Sequence, residues 1–473
     1  MKDFVLTFLI FSLLSSGAYL TMKKETPTPL GGQPLINQSL PAMSSKREII
    51  EARSTSTKSF LQDNGETLTV FSTAPLHYKV ADEWKDIDLT LVDKGTYYGV
   101  AGYNIDIRIP KTSDGDFNST MEGKGVRTKF LNVSAVQSEI KNDWSNGNQA
   151  IYKEVYPGVD MVVYPRWWGV QRDFIVKSAT STDSIQFESE GIGLSNGTFA
   201  STSQKVMTYK DVNKENVILR EFDTKDKTGK KEKIFTSKNT KNGVNIFTIK
   251  TGFSENAKYP VTIDPDDFFP TAGNNSPLDG YYGCDECNAP DDWAKERTAL
   301  SGDTNNTPGT TARCLASLLP SGADWWVSRC VMNFATGTTL NGKTITSATL
   351  GVWVVAILDG NGTQAYANVG HFTGSASTLT VGDYDMFDGL DQVNNTAAIT
   401  KQASDIDLTG ISTSATTTFT LNATGLTNIN QTGGGITGFG VLIGYDIENI
   451  EPAISNNEIE IGMADGNRPP LLQ

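Results

Sequence analysis

The sequence predicts an all-β protein made of two antiparallel β-sandwich or jelly-roll-like modules joined by a short linker. Three observations carry this expectation. Apolar and polar residues alternate at period two, as where Ile105, Ile107 and Ile109 interleave with Asn104, Asp106 and Arg108. Turn residues recur between short apolar runs: Asn242-Gly243 parts KIFTSKN from VNIFTIK, and Asn196-Gly197 parts IGLS from TF. Thr, Ser and Asn crowd the chain beside 44 Gly, while long Ala/Leu/Glu/Lys runs are missing, which argues against helices.

The 473 residues accommodate two to three domains at the usual ~150 residues each. Residues 1–22 read as a signal peptide or N-terminal anchor. Lys2 precedes the apolar run 4–14, and Ser16-Gly17-Ala18 offers small residues for cleavage. The uncharged stretch 4–22 is also long enough to remain as an anchor. A secreted or cell-surface location is expected, with membrane contact only through this segment if it is uncleaved. Residues 23–45 hold Pro27, Pro29, Pro34, Pro41, Gly31 and Gly32, a tether composition that builds no core. The first β module is expected over 46–265, a linker over 266–277 (within PDDFFPTAGNNSP), and the second module over 278–473. Strand candidates in the latter are 328–334, 345–357, 416–421, 438–445 and 458–462, each bounded by Gly, Asn or Asp.

From residue 267 onward the chain carries 22 acids against 7 bases, and the remainder is balanced. The acidic half repels phosphate backbones, so nucleic acid is not an expected partner. Only His77 and His371 are present, which leaves little for His-based metal sites or catalysis.

Two resemblances cover most of the chain after residue 46. EIIEARSTSTKSFLQDNGETLTVFSTAPLHYKVADEWKDIDLTL (48–91) resembles the opening of bacterial wall-associated and Rhs-type surface proteins, with their SKxFL–DG–PxHYK–W–DID series. IYKEVYPGVDMVVYPRWWGVQRDFIVK (151–177) and YPVTIDP (259–265) look like later marks of the same module. The second half is similar to DNRLRE-type modules of secreted bacterial proteins, through SRCVMNF, NGKTITSATLGVWV, LNATGLTNINQTGG and NRPPLL. That resemblance implies a carbohydrate-binding-like β-sandwich. Ala335-Thr336-Gly337 departs from the family's Asp-Ser-Ser-like turn, and Leu471-Leu472-Gln473 departs from its Val-x-Tyr ending.

Several motifs change meaning with their surroundings. Gly337-Thr-Thr-Leu-Asn-Gly342-Lys343-Thr344 matches the P-loop pattern, but that chemistry needs a helix starting at Lys-Thr. The residues after it, ITSATLGVWVV, are strand-like, so a hairpin turn is expected. Gly193-Leu-Ser195-Asn-Gly197 matches the nucleophile elbow, yet Ser-Asn-Gly before TFAST is turn chemistry. No carboxylate pair stands out for glycosidase work, because placement in space decides that chemistry. The chain is therefore expected not to be an enzyme.

Cys284, Cys287, Cys314 and Cys330 are disulfide candidates, since an exported domain favours oxidised pairs. Zinc is the rival, although only the first pair has Cys-x-x-Cys spacing. Asp383, Asp385, Asp388 and Asp391 form a carboxylate cluster that misses the EF-hand spacing. Structural calcium is the one cofactor it leaves room for. Trp293, Trp325 and Trp326 are candidate carbohydrate contacts, because an aromatic face packs against a sugar ring. Trp353 alternates within a strand and is expected in the core, and Trp167-Trp168 at a hairpin tip. The expected function is an exported, non-enzymatic polysaccharide-binding or adhesion protein, its partner a polysaccharide or cell-wall glycan. The alternatives are a structural part of a surface assembly or virion appendage, and an unrecognised polysaccharide hydrolase or lyase.

Overall fold

The computed structural model describes residues 47–143, 147–192, 199–200, 206–210, 216–219, 223–226, 235–241, 244–251, 253, 257–264, 266–268, 279–284, 293–302, 304–306, 311–318, 325–358, 362–375, 379–390, 398–453, 457–464 and 469–473. Among these, antiparallel strands dominate and helices are single short turns. The all-β class stands. No helix among the described residues is long and apolar enough to cross a membrane, and residues 1–22 lie outside them.

The first sandwich pairs two sheets. An eight-stranded sheet runs in the order Phe235–Lys241, Val244–Lys250, Ser184–Ile192, Lys124–Leu131, Asp116–Met121, Ile105–Pro110, Tyr97–Gly102 and Asp88–Asp93. It faces a sheet built on Gly147–Tyr156, Val159–Arg166 and Gly169–Val176. Alternation does the sorting, because successive side chains of a strand point to opposite faces. Ile105, Ile107 and Ile109 are buried, whereas Asp106 and Arg108 are exposed. Both inner faces supply one core, in which Phe130 of the first sheet meets Phe174 of the second edge-on at 5.2 Å. Phe235–Lys241 and Val244–Lys250 pair as the hairpin signal predicts, although Asn242 and Gly243 themselves lie outside the described residues, as do 193–198.

The second core is wrapped by a fourteen-stranded sheet. Its first three strands come from far upstream: β1 (Arg47–Glu48), β2 (Thr57–Leu61) and β3 (Thr67–Ser72). Next in the sheet are Leu471–Leu472, Thr349–Leu358, Glu458–Gly462, Thr311–Leu318, Trp325–Phe334, Thr437–Ile443, Tyr366–His371 and Ile406–Asp407. Phe71 of β3 pairs with Leu472 and belongs to the second core. Trp325–Phe334 is central and buried continuously from Val327 to Phe334, so it shows no alternation.

Ordered turns also differ from expectation at 337–344. Gly337–Leu340 is one helical turn, and Gly342 after it takes φ +69°, a conformation that favours glycine. A Cβ on Gly337 would lie 1.8 Å from the Thr432 carbonyl oxygen. The flanking strands Trp325–Phe334 and Thr349–Leu358 have other neighbours and do not pair with each other. The segment is thus a crossover and not a hairpin turn. Lys343 is exposed, and no helix begins at it.

β4 (His77–Val80) and β5 (Glu83–Asp86) form a separate two-stranded ribbon held by a charged cluster. Lys58 Nζ lies 2.6 Å from Asp86 Oδ1, and Arg53 bridges Glu48 at 2.7 Å and Asp86 at 3.3 Å. His77 Nδ1 donates to the Ser54 carbonyl at 2.6 Å, and its Nε2 lies 3.4 Å from Asp86. Burial pushes the Asp86 carboxyl up, but hydrogen bonds with His77 and Lys58 and the charges of Lys58 and Arg53 outweigh it. They hold Asp86 well below the usual carboxylate range.

Candidate functional site

Cys314 and Cys330 are joined in a disulfide with Cα atoms 5.3 Å apart, both fully buried between the strands Thr311–Leu318 and Trp325–Phe334. Cys284 is also disulfide-bonded, and Cys287 lies outside the described residues. These bonds consume the thiolates that the rival zinc reading of these cysteines needs.

The aspartates turn to separate partners. Asp383 caps its own turn, accepting from Ser375 N at 2.8 Å and from Thr380 N and Oγ1 at 2.9 Å. Asp385 is buried, and desolvation raises its pKa. Asp388 meets His371 Nδ1 at 2.6 Å. Asp391 lies outside the described residues. Among the described residues no group of three His, Cys, Asp or Glu side chains is gathered for a metal ion.

The tryptophans separate by strand face. Trp293 is 6% exposed and belongs to the second core, so it presents no ring to a ligand. Trp325 packs against that core from the edge. Trp326, one residue on, must point the other way. It is half-buried, and the Arg313 guanidinium lies 4.9 Å from its ring centre, a cation–π contact worth about 0.5–1 kcal/mol at such a site. Trp167 and Trp168 follow Val159–Arg166 at the expected hairpin tip, but Trp168 is fully buried and Trp167 Nε1 donates to the Ala464 carbonyl at 2.7 Å.

Trp353 is a correction. Its neighbours Val352 and Val354 are the fully buried residues, and Trp353 is half-buried on the opposite face. The register carries that outer face across four strands. Val354 pairs with Ile461 in the core, so Trp353 and Glu460 both face outward. Glu460 is opposite Arg313, whose guanidinium covers Trp326. Three strand spacings of ~4.8 Å separate the two tryptophan-bearing strands, or roughly 14 Å.

Polar groups on this face are held in place. Arg313 binds Glu458 through Nε and Nη2, and that hydrogen bonding raises the Arg313 pKa. Thr311 Oγ1 donates to Glu460 Oε1 at 2.5 Å. Beyond Trp353, Ala415–Thr420 presents exposed Thr416, Thr418 and Thr420, with Thr416 directly opposite Trp353. The result is a face with two half-exposed indoles, fixed charged hydrogen-bonding groups and a row of hydroxyls. From sequence, alternation alone shows that Trp325 and Trp326 diverge; it does not say which one faces out.

A β-sandwich protein with an aromatic, hydroxyl-rich outer face is the class these features define. Residues 51–266, a little under half the chain, match the family model described as a domain of unknown function (DUF7948). No curated protein matches the sequence.

Proposed function

We propose that the chain is an exported, non-enzymatic surface protein that binds a polysaccharide or cell-wall glycan across the Trp326–Trp353 face. The observation that carries the reading is the placement of both rings on one outer face, with Arg313, Glu460 and the threonine row between and beside them. Indole faces take the C–H side of sugar rings. Carboxylate, guanidinium and hydroxyl groups take the sugar hydroxyls, and groups already fixed lose little entropy on binding. Groups spread across four neighbouring strands suit a chain polymer better than a small enclosed ligand. The predicted N-terminal export segment agrees with an extracellular glycan as partner. The test is a glycan array probed with the full chain, followed by co-sedimentation with the polysaccharide that scores. Signal on at least one polysaccharide is expected. A flat array across cell-wall, plant and algal polysaccharides contradicts the reading.

A further inference from the structure

Charge narrows the kind of polymer that the Trp326–Trp353 face can take. The strands that build the face are Thr311–Leu318, Trp325–Phe334, Thr349–Leu358, Ala415–Thr420 and Glu458–Gly462. Their charged side chains are Arg313, Arg329, Glu458 and Glu460. Arg329 is fully buried and held by Asp446, so it takes no part in the surface. What remains is one guanidinium against two carboxylates.

These three groups are not equivalent. Arg313 turns its charge to Glu458, bonding it through both Nε and Nη2, and Glu458 is 6% exposed. Toward an approaching ligand this bidentate pair is close to neutral. Glu460 is half-buried on the strand that lies between those of Arg313 and Trp353. Its hydrogen bond comes from the Thr311 hydroxyl, which brings no charge. Among the described residues of these strands, Glu460 is therefore the carboxylate left without an ion pair, set among indoles and hydroxyls in the acidic half of the chain.

Covering such a carboxylate with a neutral ligand strips water from it and returns hydroxyl contacts alone, and a polyanion adds repulsion. A ligand ammonium offsets the lost hydration with a charge-assisted hydrogen bond. Indole faces attract cations as well, and the Arg313 guanidinium already lies 4.9 Å from the Trp326 ring centre. Repeated positive charge along a polymer is also drawn to the acidic half, which repels polyuronates, sulfated glycans and phosphate-linked chains.

We infer that the polymer is an amino-sugar chain with free, protonated amines and that Glu460 selects it by binding an ammonium group, an assignment that rests on this face being a glycan site at all. The indoles grip sugar rings of any charge, and Glu460 supplies the preference.

The test is isothermal titration calorimetry of the full chain with glucosamine hexaose, its fully N-acetylated counterpart, cellohexaose and hexagalacturonate. Mildly acidic buffer keeps the amines protonated and the glutamates ionised. Glucosamine hexaose should bind about tenfold more tightly than the acetylated or the glucose chain, the difference that a hydrogen bond to a charged group makes. Hexagalacturonate should give no measurable heat. Glu460→Gln should cancel the preference for glucosamine. Should that variant fail to fold, salt supplies the check on wild type. Raising sodium chloride from about 0.05 to about 0.5 M should weaken glucosamine hexaose binding severalfold and leave cellohexaose within about twofold. Equal or tighter binding of the acetylated or glucose chain, weakened by Trp353→Ala, keeps the glycan reading and overturns the selection of amines. A glucosamine preference untouched by Glu460→Gln or by salt overturns it too. Heat from none of these chains overturns it as well, and the glycan reading itself falls only if the array is also flat.

Discussion

Arg329 grips Asp446 with both arms, Nε to Oδ2 and Nη2 to Oδ1, each at 2.8 Å, and neither residue is more than 1% exposed. The remaining guanidinium bonds go to the carbonyls of Tyr384 and Arg297, each at 2.7 Å, and the Tyr384 ring stacks 4.1 Å from the guanidinium carbon. Arg297 adds a second buried cation, its Nε 2.7 Å from the Asp446 carbonyl. Removing the carboxylate leaves two guanidinium groups buried without it, and that penalty far exceeds the worth of the pair itself. Asp446→Ala should lower stability by about 3–5 kcal/mol, read from urea unfolding. A loss below about 1 kcal/mol, as for a surface ion pair, would show that water reaches the cluster.

The Cys314–Cys330 bond closes a loop with a sequence separation of 16. The chain-entropy model assigns such a loop about 3 kcal/mol. The double variant Cys314→Ala/Cys330→Ala should therefore unfold earlier by about that amount while keeping its β-sheet circular dichroism. Intact mass before and after reduction checks the bond directly. An unchanged mass would show free thiols.

Asp86 titrates below its unfolded value, so its contribution is present above the unfolded pKa of ~3.9 and is lost as pH falls below that. Wild type should exceed Asp86→Asn in stability at about pH 6, and the gap should narrow at about pH 3. Denaturant melts at the two pH values decide it. An equal gap at both would mean that the carboxylate charge is not what holds β4 and β5 to Lys58 and Arg53.

Phe71 opposite Leu472, and Trp167 bonded to Ala464, join the two halves of the chain. Proteolysis within the linker that the sequence places at 266–277 should give two fragments that co-elute under native conditions. Leu472→Ala should weaken that association, since deleting a buried leucine side chain costs about 2–5 kcal/mol. Fragments that separate on a sizing column would show two independent modules.

Much of this architecture is legible in the sequence where one face is wet. Ile105, Ile107 and Ile109 declare their strand because Asp106 and Arg108 reach solvent. The period fails where a strand is covered on both sides, as at Trp325–Phe334, and there continuous burial replaces alternation. At Thr349–Leu358 apolar residues fall on both faces, Val352 and Val354 on one and Trp353 and Val355 on the other, so the pattern does not say which face is the core. The pairing of Phe71 with Leu472 is invisible to local pattern, because it joins segments from distant parts of the chain. Lys58, His77 and Asp86 all lie within residues 48–91, but only the fold shows that these residues meet.

The central claim is that the Trp326–Trp353 face binds polysaccharide, and affinity electrophoresis in gels containing the scoring glycan tests it most directly. Trp326→Ala and Trp353→Ala each truncate an outward ring, at a cost to binding of about 1–2 kcal/mol or more for an aromatic anchor. Both should migrate with five- to thirtyfold weaker retardation than wild type. Trp293→Phe, at a core position, should be retarded as wild type is. Retardation unchanged by both outward variants would contradict the account.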